Sequence, residues 1–328
     1  MTVATLANCA PAWLPGGHLQ TIWAALAARR FEGAAPTWRR ERWATPDADF
    51  IDVDFIDAPA NPPDAPLLVL FHGLEGSSAS HYSQAFGHWA QVAGWALALP
   101  HFRGCSGELN LAPRAYHSGD FEEIGWILTR LRAARGRPLR AAGISLGGNA
   151  LLRWAQEAGH SAAQTVSAVA AISSPLDLAA GGAALSRGFN RQVYTRMFLR
   201  TMVRKALAKL AQHPGLFSRE RLLAARDLHA FDNVFTAPLH GFRDTDDYWA
   251  RASARPHLAQ LRIPTLLLNA RNDPFVPAGS LPQPADAGPH TVLWQPAAGG
   301  HVGFMSGSFP GQLNALPAAV GGWLQAAT

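Results

Sequence analysis

Ser145 sits in the part of the sequence best suited to chemistry. It is the central serine of Gly143-Ile144-Ser145-Leu146-Gly147, a G-x-S-x-G string. An apolar run that reads as a strand precedes it, and a run that reads as a helix follows. So tight a strand-to-helix turn needs small neighbours, because side chains at 143 and 147 would meet adjacent backbone. The turn lifts the hydroxyl clear of the sheet edge. It also aims the start of the next helix at it, where free N–H groups and the macrodipole favour developing negative charge. The plain alternative is a glycine-rich turn with an ordinary serine. The flanking strand and helix favour a nucleophile.

A serine hydroxyl needs a base. Of 13 histidines, His301 in Gly299-Gly300-His301-Val302-Gly303-Phe304 is the best placed. It follows the last expected strand, and its glycines let a loop carry the imidazole to the sheet edge. The base needs an acid to orient it and stabilise its cation. Asp273 follows directly on the expected strand Thr265–Asn269, and sites in open parallel sheets sit at the carboxyl ends of strands. Asp177, Asp244, Asp246 and Asp247 compete, and of these Asp177 alone also follows a strand. A fourth element, His72-Gly73-Leu74-Glu75-Gly76, follows the run Leu67–Phe71. Acyl transfer needs two donors aimed at the oxyanion. The backbone N–H of Leu146 and that of Leu74 are the candidates, with His72 itself read as a packing residue.

These residues need a sheet to hold them. Leu67–Phe71, Trp95–Pro100, Leu139–Ile144, Ser167–Ser173, Thr265–Asn269 and Thr291–Gln295 read as strands. Helical patterns separate the first four over Tyr82–Ala93, Asp120–Ala134 and from Ser145 to about Ala158. That alternation predicts an α/β chain with a mostly parallel central sheet and helices on both faces. A short helix from Leu19 to Ala28 and a hairpin from Thr37 to Ile56 come first. In the hairpin Ile51, Val53 and Phe55 alternate with Asp52 and Asp54, the pattern of a half-exposed strand. A loop is expected over 60–66. The interval 176–257 has no convincing strand and reads as a helical cap inserted into the core. The core is then 1–175 and 258–328, with an N-terminal extension over 1–36. Within the cap, Arg196, Arg200, Arg204, Lys205 and Lys209 fall on one stripe, and Phe198, Met202, Val203, Ala206 and Leu210 on the opposite one. The basic stripe reads as a solvated face, with peripheral contact to anionic lipid as the alternative.

Composition agrees with an ordinary globular enzyme. The chain has 328 residues, 48% hydrophobic and 16% charged, with 11 Trp and 16 Phe to fill a core. This excludes a disordered chain. The net charge of +5 is too modest to argue for nucleic acid. Cys9 and Cys105 can build neither a disulfide framework nor a zinc ribbon, and Cys105 reads as a small buried residue. Arg103 reads as a brace of its loop through carbonyls. There is no phosphate-binding GxxxxGK[ST] loop, no dinucleotide fingerprint and no HExxH, so neither a metal nor an organic cofactor is expected. No apolar run nears the roughly 18 residues of a membrane span, and the start lacks the pattern of a secretory signal. The expected location is the cytoplasm.

Several longer strings resemble the α/β-hydrolase superfamily and, within it, the YheT-like branch of predicted esterases. They are Gly17-His18-Leu19-Gln20-Thr21, the string from His72 to Gly76, His101-Phe102-Arg103-Gly104-Cys105-Ser106-Gly107-Glu108, Tyr116-His117-Ser118-Gly119, the Ser145 elbow, Asn272-Asp273-Pro274-Phe275 and Gly299 to Phe304. The resemblance implies an α/β-hydrolase fold, a triad of Ser145, Asp273 and His301, and action on short- to medium-chain esters or glycerolipids. Phe231-Asp232 and Asp247-Tyr248 share it without an assigned role. The expected activity is a serine carboxylesterase acting on a small-molecule ester. An acyltransferase or thioesterase with the same triad is the first alternative. A non-catalytic binder on the same scaffold is the second.

Overall fold

The computed structural model describes residues 10–58 and 65–327. Cys9, the first nine residues and most of the expected loop at 60–66 lie outside the described residues. Helix α1 (Gly17–Leu26) leads into the hairpin β1 (Arg39–Ala44) and β2 (Phe50–Ile56). Then come β3 (Leu67–Phe71), α2 (His81–Ala93), β4 (Ala96–Pro100), α3 (Phe121–Arg135), β5 (Leu139–Ile144), α4 (Leu146–Ala158), a short α5 (Ala162–Thr165) and β6 (Val166–Ile172).

The eight strands, including β7 (Thr265–Leu268) and β8 (Thr291–Trp294), form one sheet in the order β1-β2-β4-β3-β5-β6-β7-β8. From β4 through β8 neighbours run parallel, whereas β2 is antiparallel to both β1 and β4. The fold is that of α/β hydrolases. Strands β3, β4 and β7 are buried along their whole length, so their runs of Leu, Val and Ala face apolar layers on both sides. One layer holds α3 and α4; the other holds α2 and the last helix, α13 (Ala315–Ala326). Helix α3 starts where the Asp120 carboxylate accepts from the Glu123 N–H, and it stops at Gly136 in the left-handed region.

Between β6 and β7 the described chain holds helices joined by short loops and no strand. It runs through α6 (Leu178–Leu185), α7 (Gly188–Asn190), a π-helical turn (Arg191–Thr195), α8 (Arg196–Gln212), α9 (Arg219–Ala224), α10 (Leu228–Val234), α11 (Thr236–Leu239) and α12 (Thr245–Ala252). Among the described residues no helix is long and apolar enough to cross a membrane.

Three expectations need correction. Strand β2 is not half-exposed, since Asp52 and Asp54 are buried. They lie directly across from Arg42 and Arg40 in the hairpin register. Each arginine grips its carboxylate with two hydrogen bonds, at 2.8 and 2.9 Å for Asp52 and at 2.6 and 2.8 Å for Asp54. Asp54 also accepts from Ser78 and pairs with His101. Burial alone would raise its pKa, but these partners hold it well below the usual carboxylate range. The polar face at period 2 is therefore a pair of buried carboxylates covered by two solvent-facing arginines.

The basic stripe splits. Arg196, Arg200 and Arg204 are exposed, while Lys205 is half-buried and Lys209 fully buried. The Lys209 ammonium donates to the carbonyls of Asn110 and Ala112 and to the Gln212 side chain, which satisfies all three protons. Burial still lowers its pKa to about 8.

Arg103 braces its loop through carboxylates, not carbonyls. Its guanidinium donates to Asp47 and Asp49 and to Glu123. Burial opposes ionisation of Asp49. Asn110, two backbone N–H groups and Arg103 outweigh it and hold the pKa at about 2. Burial and nearby Asp120 push Glu123 the other way, to about 7. Replacing Arg103 by Met would strand two buried carboxylates. The expected cost is about 3–5 kcal/mol of unfolding free energy, read as a lower urea midpoint, with Arg103→Lys recovering part of it.

Candidate active site

Ser145 occupies the sharp corner between β5 and α4 with φ +51° and ψ −120°, a left-handed setting rarely adopted by side-chain-bearing residues. The corner closes because its neighbours are bare. A Cβ on Gly143 would lie 2.5 Å from the Gly147 carbonyl oxygen, and one on Gly147 would lie 2.4 Å from the His72 carbonyl oxygen. The Ser145 N–H donates to the Ile172 carbonyl at the end of β6, which ties the corner to the next strand.

The structure brings Ser145, Asp273 and His301 together. His301 Nε2 is 3.0 Å from Ser145 Oγ. On the other side of the ring, Nδ1 is 2.9 Å from Asp273 Oδ2 and 3.2 Å from Oδ1. Asp273 Oδ1 also accepts from the N–H groups of Phe275 and Val276, which fixes the carboxylate in its loop. Phe275 lies against the imidazole, with ring centroids 4.2 Å apart. The competing Asp177 is elsewhere. It caps α6 by accepting from the Ala180 N–H.

Helix α1 holds the two loops that bear the acid and the base, and their residues alone give no signal of it. Thr21 Oγ1 accepts from the His301 N–H at 2.8 Å and donates to the Gly17 carbonyl at 2.7 Å. Gln20 Oε1 accepts from the Gly299 N–H and from the Asn272 side-chain amide. Asn272 Oδ1 in turn accepts from the Gly300 N–H. The approach is so close that a Cβ on Gly17 would lie 1.9 Å from the Asn272 carbonyl oxygen.

The loop after β3 supplies the opposite wall. His72 is buried and neutral, its pKa lowered to about 3 by burial. Its Nδ1 faces the Gly73 carbonyl and its Nε2 accepts from the Phe102 N–H, so it is a hydrogen-bonded core residue. The Gly73 N–H donates to the Tyr82 hydroxyl. Glu75 has φ +58°, and its N–H donates to the Tyr116 hydroxyl, which donates back to the Glu75 carboxylate. Lys205 reaches in from α8 to the same carboxylate oxygen at 2.9 Å and stands 3.4 Å from Cys105 Sγ. Burial raises the Cys105 thiol to about 11, so it stays protonated. Among the described residues, the N–H groups of Leu74 and Leu146 donate to no protein acceptor.

Leu74, Leu146, Ser145 and His301 border a cavity of about 140 Å³. Cap side chains such as Leu185, Phe198, Met202, Phe231 and Phe235 make its far wall. Asp232 and Tyr248 now have structural roles. The Asp232 carboxylate accepts from Trp249 and Thr236, and burial raises its pKa to about 6. The Tyr248 hydroxyl accepts from the Ser118 N–H, joining cap to core. Among the described residues no cluster of three His, Cys, Asp or Glu could hold a metal ion.

A family model described as "alpha/beta hydrolase fold" matches residues 66–308, most of the chain and all of this geometry except α1. The chain belongs to the α/β-hydrolase family. The hydrolase is 37% identical over 310 residues to the Escherichia coli protein "Putative esterase YheT", covering 94% of this chain and 89% of that one. It is 30% identical over 286 residues to mouse "Phospholipase ABHD3", covering 84% and 68%. The solved Pyrococcus furiosus esterase Pf2001 superposes with a TM-score of 0.56 at 14% identity, covering 91% of the hydrolase and 98% of that chain, a likeness of fold. The hydrolase is thus a YheT-like enzyme of the esterase and lipase type.

Thr21→Val tests the reach of α1. The valine keeps the shape and leaves the His301 N–H buried without an acceptor, at a cost of about 1–3 kcal/mol. A fall of about tenfold or more in ester turnover is expected, with a smaller change in KM, measured beside the melting temperature.

Proposed function

We propose that the enzyme is a serine carboxylic ester hydrolase working through an acyl-serine intermediate. One observation carries this reading: the continuous contact Ser145 Oγ to His301 Nε2 to Nδ1 to Asp273, at 3.0 and 2.9 Å. His301 takes the hydroxyl proton as Ser145 Oγ attacks the ester carbonyl carbon. The carbonyl electrons move to oxygen, which lies between the N–H groups of Leu74 and Leu146. Each such donor is worth about 10²–10³ in turnover. Collapse expels the alcohol, which takes its proton from His301, and leaves the acyl group on Ser145. Water then attacks, giving a proton to His301. The second collapse frees the acid and returns the proton to Ser145 Oγ. Asp273 holds the imidazole with its Nδ1 proton toward the carboxylate throughout.

The cavity supports a short- to medium-chain acyl group, because its volume is about 140 Å³ and its cap wall is rich in Phe and Leu. The name of the mouse relative supports glycerolipid esters among the candidates. The same triad could pass the acyl group to an alcohol or thiol, and offering these beside water distinguishes a transferase from a hydrolase.

A fluorophosphonate probe should label the wild type, and Ser145→Ala should remove both label and turnover of p-nitrophenyl esters. Asp273→Asn should keep the fold and lower turnover by about 10⁴. Across a series of p-nitrophenyl esters, rates should peak at short or medium acyl length. Labelling that survives Ser145→Ala would overturn the assignment.

A further inference from the structure

The positive charge of this protein has one source. From Leu178 to Arg219 the sequence holds eight Lys and Arg and no Asp or Glu, whereas the rest of the chain has 20 Lys and Arg against 23 Asp and Glu. Lys205 and Lys209 are spent inside the molecule, as described above. Arg187, Arg191, Arg196, Arg200 and Arg204 are all exposed, and among the described residues none forms an ion pair. Their spacing is 4, 5, 4 and 4. The step of five falls on the π-helical turn Arg191–Thr195, and the arginines wind gradually around this segment as an exposed ridge.

The same segment exposes large apolar side chains that water should disfavour. Phe189, Val193 and Met197 are 49%, 37% and 54% exposed and recur every four residues. Helix α1 adds to the same face: the His18 ring is 4.6 Å from Phe189, and the adjacent Leu19 is half exposed. A merely solvated face would have no reason to place Phe and Met among arginines. The face also lies over the active site. Phe189 touches Tyr194 (centroids 5.9 Å apart), Tyr194 touches Phe275 (4.6 Å), and Phe275 lies on His301 (4.2 Å). Leu185 and Phe198, from the same stretch of cap, line the cavity.

We propose that this face of the cap docks on an anionic lipid surface. Phe189, Val193 and Met197 enter the headgroup region, and the five arginines meet the lipid phosphates. Basic residues flanking an apolar strip are the chemistry that an anionic interface recognises. Arginine suits it better than lysine, because its planar fork pairs with phosphate through two hydrogen bonds. Docked this way, the cap side of the cavity faces the bilayer.

Flotation of the whole protein with vesicles tests this. Vesicles of phosphatidylcholine mixed with phosphatidylglycerol should bind it at least about tenfold more tightly than pure phosphatidylcholine at low salt, with weakening as salt rises. Arg191→Glu/Arg196→Glu/Arg200→Glu should lose that preference while still hydrolysing a soluble p-nitrophenyl ester. Phe189→Ser/Met197→Ser should lower binding several-fold with the charge intact. Equal binding to both vesicle types would overturn the proposal. So would wild-type binding by the arginine variant, indifference to the Phe189 and Met197 changes, or capture of RNA with no vesicle binding. Failure of the fluorophosphonate label would instead strike the serine mechanism and leave these outcomes readable.

Discussion

Three segments of the chain meet around Ser145 with no space for an added side chain between them, and the site depends on that contact. Gly147 brings the start of α4 against the His72 carbonyl, and Gly148 brings it so close to Ser174 that a Cβ would lie 2.0 Å from the hydroxyl. The loops after β3, β5 and β6 are thereby packed directly against the start of α4. The Leu74 and Leu146 N–H groups border one cavity because of this contact, not because of any side chain they carry. Adding a methyl group at either glycine would force apart the walls of the site while leaving its reactive side chains unaltered.

The sheet was legible in the sequence because buried parallel strands are written in a restricted alphabet. Leu67–Phe71 and Leu139–Ile144 have the same limits in both readings, and the other core strands differ by a residue at one end or, for β6, at both. The positions of the loops that bear Asp273 and His301 were legible from order alone, since each follows a strand. What stayed hidden were pairings between distant polar residues. Asp52 and Asp54 look solvent-facing until Arg42 and Arg40 are laid across from them. Lys209 looks like surface charge until two loop carbonyls from 97 and 99 residues away close over it. Thr21 and Gln20 lie some 280 residues before the loop they support. Periodicity reports which side a residue faces, and it carries no information about what stands there.

Polar burial also explains how the cap is fastened. Its apolar clusters would hold it to the core in many orientations, because such contacts have little directionality. Tyr248 on Ser118, Lys209 on the 110–112 loop and Lys205 on Glu75 each demand one geometry. The last of these is adjacent to Leu74, so the orientation of the cap and the shape of the loop after β3 are set by the same bond. Cap residues thereby shape the cavity in two ways, by lining it and by steadying its floor.

The anchoring of His301 to Thr21 has a consequence for synthesis. Ser145 and its turn are made first, and the imidazole of His301 follows only after another 155 residues. Until then Gln20 and Thr21 have no loop to hold, and Ser145 stands without its contact to His301. The contact between Ser145 and His301 is therefore completed only when α1 and the loop after β8 first touch.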